Sequence, residues 1–231
     1  MKNHTFSVLF GTFISTALLG ASFCASAATA DIANAPLASA SSTVVKPNVM
    51  FILDDSGSMS WGYLPDSTAS STLLPTRNCY KNSSYNRIYY DPNTTYTPPV
   101  NSAGTSLGNA NFTAARYDGF NPSSTLVNLS TSFRAWDTTN HWGWDGSLWD
   151  NGNDTAQAAY YHRHNTTPTV GTCHANAQYT GIIVSSTSGP GATDERTNFA
   201  NWYSYYRTRM QSMKSSASRA FKDIVDNYRV G

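Results

Sequence analysis

Val49-Met50-Phe51-Ile52-Leu53-Asp54-Asp55-Ser56-Gly57-Ser58 is the stretch on which the fold turns. Its first half is a short, unbroken apolar run, preceded by Pro47-Asn48 and followed by Gly57. Such a run, bounded by turn-forming residues, reads as a strand buried on both faces of a mostly parallel sheet. In open α/β sheets ligands gather at the carboxyl ends of the strands, and Asp54 stands at that end. Asp54, Ser56 and Ser58 alternate, so an extended turn brings their oxygens to one side, with Gly57 supplying tight curvature. One carboxylate and two hydroxyls suit a hard, oxygen-seeking cation that keeps some of its water: Mg²⁺ first, with Ca²⁺ or Mn²⁺ as alternatives. The competing reading is an Asp-Ser-Gly-Ser turn that merely ends a strand.

Outward from this loop, the chain is low in charge. Of its 231 residues 13% are charged and 13% aromatic, and the net charge is +1, so no basic patch for nucleic acid is visible. At the N-terminus Lys2 precedes the apolar Phe6 to Leu19, with small residues at Ala25-Ser26-Ala27 or Ala28-Thr29-Ala30 for cleavage. This pattern predicts a signal peptide over 1–27 and export of the protein. The apolar stretch is shorter than the roughly 20 residues that span a bilayer. Cys24 follows the bulky Phe23, a poor context for lipidation. Cys79 and Cys173 then remain in the exported chain, and one disulfide between them is expected, two free thiols being the alternative. In the chain-entropy picture that bridge contributes about 3–5 kcal/mol.

Residues 28–46 are rich in Ala and Ser and read as a flexible lead-in. Between the opening loop and the next periodic segment lies a long stretch of Tyr, Trp, Asn, Thr, Gly and Pro, punctuated by turn pairs such as Asp91-Pro92 and Asn121-Pro122. It is too long for a structureless loop, and an inserted subdomain of short strands and ordered loops is predicted over 61–196. Strands are expected at Arg87 to Tyr90, Leu126 to Leu129 and Tyr179 to Ser185. Trp136, Trp142, Trp144 and Trp149 belong either to its aromatic core or to a carbohydrate- or protein-binding face. Beyond it Phe199, Trp202, Tyr203, Tyr206, Met210, Met213, Ala217, Ala220, Phe221, Ile224 and Tyr228 recur at helical spacing. They predict one long amphipathic helix over 197–228, capped by Thr197 or Asn198 and buried along its apolar stripe. A second strand is expected to start at 229–231.

Two further clusters invite a metal. His162-Arg163-His164 places two imidazoles on one face of a strand, and His174 follows Cys173, which opens a zinc or hydrolytic reading. Against an enzyme stands the lack of a His-Glu-x-x-His motif, a nucleophile elbow or a phosphate loop. Asp150-Asn151-Gly152-Asn153-Asp154 is a second cluster, readable as a calcium loop or as a polar turn.

Two resemblances join these pieces. Phe51-Ile52-Leu53-Asp54-Asp55-Ser56-Gly57-Ser58-Met59-Ser60 resembles the metal-ion-dependent adhesion site of von Willebrand factor A domains. This implies an α/β, Rossmann-like domain in which Asp54, Ser56 and Ser58 are the first three ligands. Later loops of such domains add a Thr and an Asp, which cannot be placed in this sequence. The strings from Tyr89 to Pro99 and from Gly189 to Arg207 resemble PilY/PilC proteins of type IV pilus tips. What this implies is a non-catalytic, exported pilus-assembly factor, adhesin and surface-contact sensor. Its expected partners are minor pilins and a host or abiotic surface ligand, with no small-molecule substrate. It would lie at the cell surface or pilus tip, the outer membrane or the periplasm. Family members are longer and carry a C-terminal β-propeller, so the chain is expected to be an N-terminal part holding an incomplete A-type domain: strand and metal loop at 47–60, insert at 61–196, helix at 197–228.

Overall fold

The computed structural model describes residues 46–64, 77–135, 155–224 and 228–230. The expected signal peptide, Cys24, the four tryptophans from Trp136 to Trp149 and the Asp150 to Asp154 cluster lie outside them, as does most of the lead-in. Among the described residues, strands form three two-stranded sheets. No helix among them is long and apolar enough to cross a membrane.

The opening apolar run enters a ladder only at its start. Strand β1 (Asn48–Val49) pairs in parallel with β6 (Arg229–Val230), Asn48 opposite Arg229 and Val49 opposite Val230. Among the described residues the pairing covers these two positions alone, and the run beyond them is largely exposed. Met50 and Ile52 are 80% and 81% exposed and Phe51 40%. One contact does cover part of it: the Phe51 ring meets Phe221 edge-on at 5.0 Å.

The predicted single helix is two. Helix α1 (Arg196–Tyr205) ends at Tyr206, and α2 (Arg209–Phe221) begins after Thr208, whose backbone is extended. The break is written in Thr208-Arg209-Met210-Gln211: the Thr208 hydroxyl accepts from Gln211 N at 3.2 Å, and Gln211 Oε1 accepts from Thr208 N at 3.2 Å. This reciprocal capping box satisfies two backbone donors and starts a new helix, overriding the continuous apolar period. Neither Thr197 nor Asn198 caps α1. Glu195 stands at the N-cap without a side-chain cap bond, and Asp194 before it accepts from Arg196 N at 3.0 Å and pairs with the Arg196 guanidinium.

The apolar stripe also divides. In α1 Phe199, Trp202 and Tyr203 are buried, whereas in α2 the buried residues are Gln211 and Ser215. Met210, Met213, Ala217 and Phe221 are half-buried and Ala220 is exposed. Ser215 is buried because its hydroxyl donates to the Tyr205 carbonyl at 2.6 Å, a carbonyl at the end of α1.

The core gathers around α1. Phe199, Ala200, Trp202 and Tyr203 pack with Tyr89, Tyr90, Ala115, Leu129, Phe133, Ala159, Tyr160, Tyr161 and Val184 from the insert. Aromatic rings replace the missing aliphatics: Tyr90 and Phe199 lie 4.8 Å apart, Tyr89 and Trp202 5.0 Å, Phe133 and Phe199 5.3 Å. Asparagines on α1 stitch the loops to this core. Asn198 accepts from Tyr96 N and donates to the Thr94 carbonyl, both at 2.8 Å; Asn201 accepts from Ala110 N at 2.8 Å and donates to the Tyr96 carbonyl at 3.0 Å. The insert and α1 therefore share one core, and the expected boundary at 196–197 runs through it.

Two of the three expected strands exist. Strand β3 (Leu126–Val127) pairs antiparallel with β2 (Ala115–Arg116), and β5 (Tyr179–Ile183) pairs antiparallel with β4 (Tyr160–His164). Arg87 to Tyr90 is instead a run of turns. Arg87 N donates to the Leu64 carbonyl at 2.8 Å and Tyr89 N to the Asn86 carbonyl at 3.0 Å, while the buried Asn86 side chain donates to the Gly62 and Tyr80 carbonyls and accepts from Leu64 N, each at 3.0 Å. The Cys79–Cys173 disulfide is present, with Cα atoms 5.3 Å apart. Beside it Asn78 N donates to Asn176 Oδ1 at 2.9 Å.

Candidate metal loop

Asp54, Ser56 and Ser58 come together as their alternation predicts. Asp54 Oδ1 accepts from Ser56 N at 2.9 Å, and the Ser56 and Ser58 hydroxyls stand 3.1 Å apart. A 3-10 turn, Gly57–Ser60, fixes this geometry through Met59 N to Ser56 O at 2.9 Å and Trp61 N to Ser58 O at 3.2 Å. Gly57 has no need of the conformational freedom expected of it: its φ is not positive, and a Cβ there would meet nothing within 4 Å.

Downstream residues clamp the turn to α2. Met59 is buried. Trp61 and Tyr63 stack at 5.2 Å, the Arg209 guanidinium lies 4.9 Å from the Trp61 ring, and Arg209 Nε donates to the Tyr63 carbonyl at 2.8 Å. Arg209 N also donates to the Trp61 carbonyl at 3.1 Å. The start of α2 thus holds the loop's exit by charge, ring face and backbone. The role of Arg209 depends on the break that makes it the first residue of α2.

The electrostatics suit a cation. The Ser56 backbone N–H, and then its hydroxyl, hold the Asp54 carboxyl below its ordinary 3.8, so it is anionic throughout the neutral range. Adjacent ligands of an octahedral ion with metal–oxygen lengths of 2.0–2.1 Å stand about 3 Å apart. The two serine hydroxyls meet that spacing, and the donor set is all oxygen, so the residues present fit Mg²⁺ or Mn²⁺. Among the described residues no group of three or more His, Cys, Asp or Glu could hold a metal. A loop of one carboxylate and two hydroxyls does not belong to that class. The loop is solvent-exposed apart from Ser58, which is half-buried.

The histidines occupy a different place. His162 and His164 share a face of β4, as their spacing predicts, but the nearer ring pair is His164 and His174, with centroids 4.7 Å apart. Burial, and then the charge of Lys81, push the His162 imidazole down to about 4.

Comparison with known proteins bears on the whole chain. It is 35%, 32% and 34% identical to the type IV pilus biogenesis factor PilY1 of three Pseudomonas aeruginosa strains, over 196, 203 and 199 residues. Each match covers 80% of this chain. The chain belongs to the PilY/PilC family. It spans only 15–16% of the length of these PilY1 relatives. No family model matches the chain, and no solved structure matches it.

Proposed function

We propose that this chain is part of an exported type IV pilus biogenesis factor and acts, without catalysis, as a divalent-cation-dependent adhesion module. The observation that carries the cation dependence is the convergence of Asp54 with two serine hydroxyls 3.1 Å apart, on a turn clamped to α2. The pilus assignment rests on the PilY1 relatives, which are named as type IV pilus biogenesis factors. The parallel pairing of β1 with β6, separated in sequence by two helices, supports a von Willebrand factor A-like framework with the loop following its first strand. Its partners on this reading are minor pilins and a surface ligand, met at the cell surface or pilus tip, the outer membrane or the periplasm.

Three protein oxygens leave other coordination positions for water or for a partner. Asp54 supplies the anionic ligand, which Ser56 orients through its N–H, and the Ser56 and Ser58 hydroxyls supply two neutral ones. A bound cation provides a positive centre able to take a carboxylate from the partner. Adhesion should then need the ion, while folding should not, because the loop is closed by its own hydrogen bonds.

Asp54→Ala is the direct test. Calorimetric titration with Mg²⁺, and paramagnetic resonance with Mn²⁺, should show affinity at least about tenfold weaker, the loss of a charged ligand being worth more than 1.4 kcal/mol. Circular dichroism and melting should be unchanged. In the longer protein the same substitution should lower ion-dependent adhesion. Equal metal affinity in the two proteins would overturn the cation reading, and loss of the fold would assign Asp54 a structural role instead.

A further inference from the structure

The β4–β5 hairpin carries a cluster that the adhesion reading does not use. His164 projects from β4, and the residue after bridged Cys173 is His174, whose ring meets that of His164 at 4.7 Å and 61°. Nε2 of both rings is closed off from solvent and has no hydrogen-bond partner among the described residues. Buried polar atoms are ordinarily paired, so two unpaired nitrogens in touching rings ask for a shared partner. An edge-to-face stack accounts for the ring angle but not for the nitrogens.

The hydrogen bonding of His164 prepares it as a ligand. Its Nδ1 lies 2.8 Å from the Thr166 carbonyl and 3.2 Å from Thr166 N. In one tautomer Nδ1 accepts from Thr166 N–H; in the other it donates to the carbonyl and leaves the lone pair on Nε2. Metal-binding histidines are oriented in this way, donating the other ring N–H to a backbone carbonyl. Two imidazoles on one ion, with metal–nitrogen lengths of about 2.0–2.1 Å and angles of about 90–110°, have centroids about 4.5–5.2 Å apart. The observed separation falls inside that interval. The disulfide and the hydrogen bond from Asn78 N to Asn176 Oδ1 tether both sides of His174, so the ring is positioned before any ion arrives.

We propose that His164 and His174 form a second metal site, through their Nε2 atoms, for a borderline transition-metal ion such as Zn²⁺, with water completing the coordination. Imidazole donors select Zn²⁺, Cu²⁺ or Ni²⁺ over Mg²⁺, so this site and the Asp54 loop take different ions. His162 stands apart. Its unpartnered atom is Nδ1, and its Nε2 lies against Gly181, where a Cβ would come within 3.6 Å.

The test uses the chain with its disulfide intact, stripped by chelator and titrated with Zn²⁺, in the wild type and in Asp54→Ala. Both proteins should take up one equivalent, and ring ¹⁵N spectra should show the Nε2 signals of His164 and His174 moving together. His164→Gln and His174→Gln should each weaken binding at least about tenfold, and His162→Gln should not. Uptake should fall on acidification, since histidine ligands must be neutral. No movement of the two ring signals, or equal affinity in the His164 and His174 variants, would overturn the site. Should a variant fail to fold, the wild-type ring spectra still decide. Zinc uptake retained in Asp54→Ala separates this site from the adhesion loop, so either reading can fail alone.

Discussion

Asn86 and His162 do opposite things with buried polarity. Asn86 pairs both ends of its amide with backbone, joining the segment after the metal loop to the turns of the insert. His162 buries Nδ1 without a partner, and its pKa of about 4 against an ordinary 6.5 has a stability consequence. Between those values the unfolded chain binds a proton that the folded one refuses. The contribution is therefore full above pH 6.5 and is lost as pH falls through about 4. Allowing for solvent screening of a partly exposed ring, this amounts to about 1–2 kcal/mol. His162→Gln should flatten the decline in stability between pH 6.5 and 4 in urea or thermal melts in metal-free buffer; parallel profiles for the two proteins would refute it. At this scale the sequence was readable where chemistry follows local spacing. Asp54, Ser56 and Ser58 converge, and His162 and His164 share a face, because alternation alone dictates both. The meeting of His164 with His174 was not readable, since it depends on a hairpin register that places His164 opposite Tyr179 and on a bridge to Cys79.

Elements were legible where hydrogen bonding is local and illegible where it is borrowed. The residues from Phe199 to Phe221 are helical apart from Tyr206 to Thr208, and the apolar period masks the Thr208–Gln211 signal that divides them. Here a polar box of two side chains outweighs a stripe of rings and methionines. Thr208→Val keeps the shape and removes the accepting hydroxyl, so α2 should lose about 1 kcal/mol of support. Because α2 clamps the loop exit through Arg209, hydrogen exchange should rise first at Gln211 and along Trp61 to Tyr63; an unchanged exchange pattern would sever that link. Arg87 to Tyr90 failed as a strand for the converse reason. Its pattern fits one, but its backbone donors are taken by turn bonds, Tyr89 N by the Asn86 carbonyl and Arg87 N by that of Leu64. The run Met50 to Leu53 keeps the composition of a buried strand, while among the described residues the ladder takes in Asn48 and Val49 alone.

For the molecule as a whole, an aromatic core around α1 replaces the aliphatic one that so few Leu, Ile and Val residues could not build. That much followed from composition; the sharing of α1 by insert and helix did not, because Asn198 and Asn201 reach loops about a hundred residues away. The Cys79–Cys173 bridge ties residues 94 apart, and in the chain-entropy model a ring of that size contributes about 4–5 kcal/mol before strain. Reduction, or paired Cys79→Ser and Cys173→Ser substitution, should lower the melting temperature markedly; a melt insensitive to reductant would mean the bridge closes a segment already constrained. One feature of the architecture reaches further. Partners in a ladder run about 4.8 Å apart, and here the first strand partners the last. The two ends of the segment from Val49 to Arg229 therefore lie beside each other, so this segment should accept insertions or deletions without shifting the two strands. A graft joining those strands by a short helix would keep their parallel register, and the whole aromatic unit could be moved, as a cassette, onto another sheet.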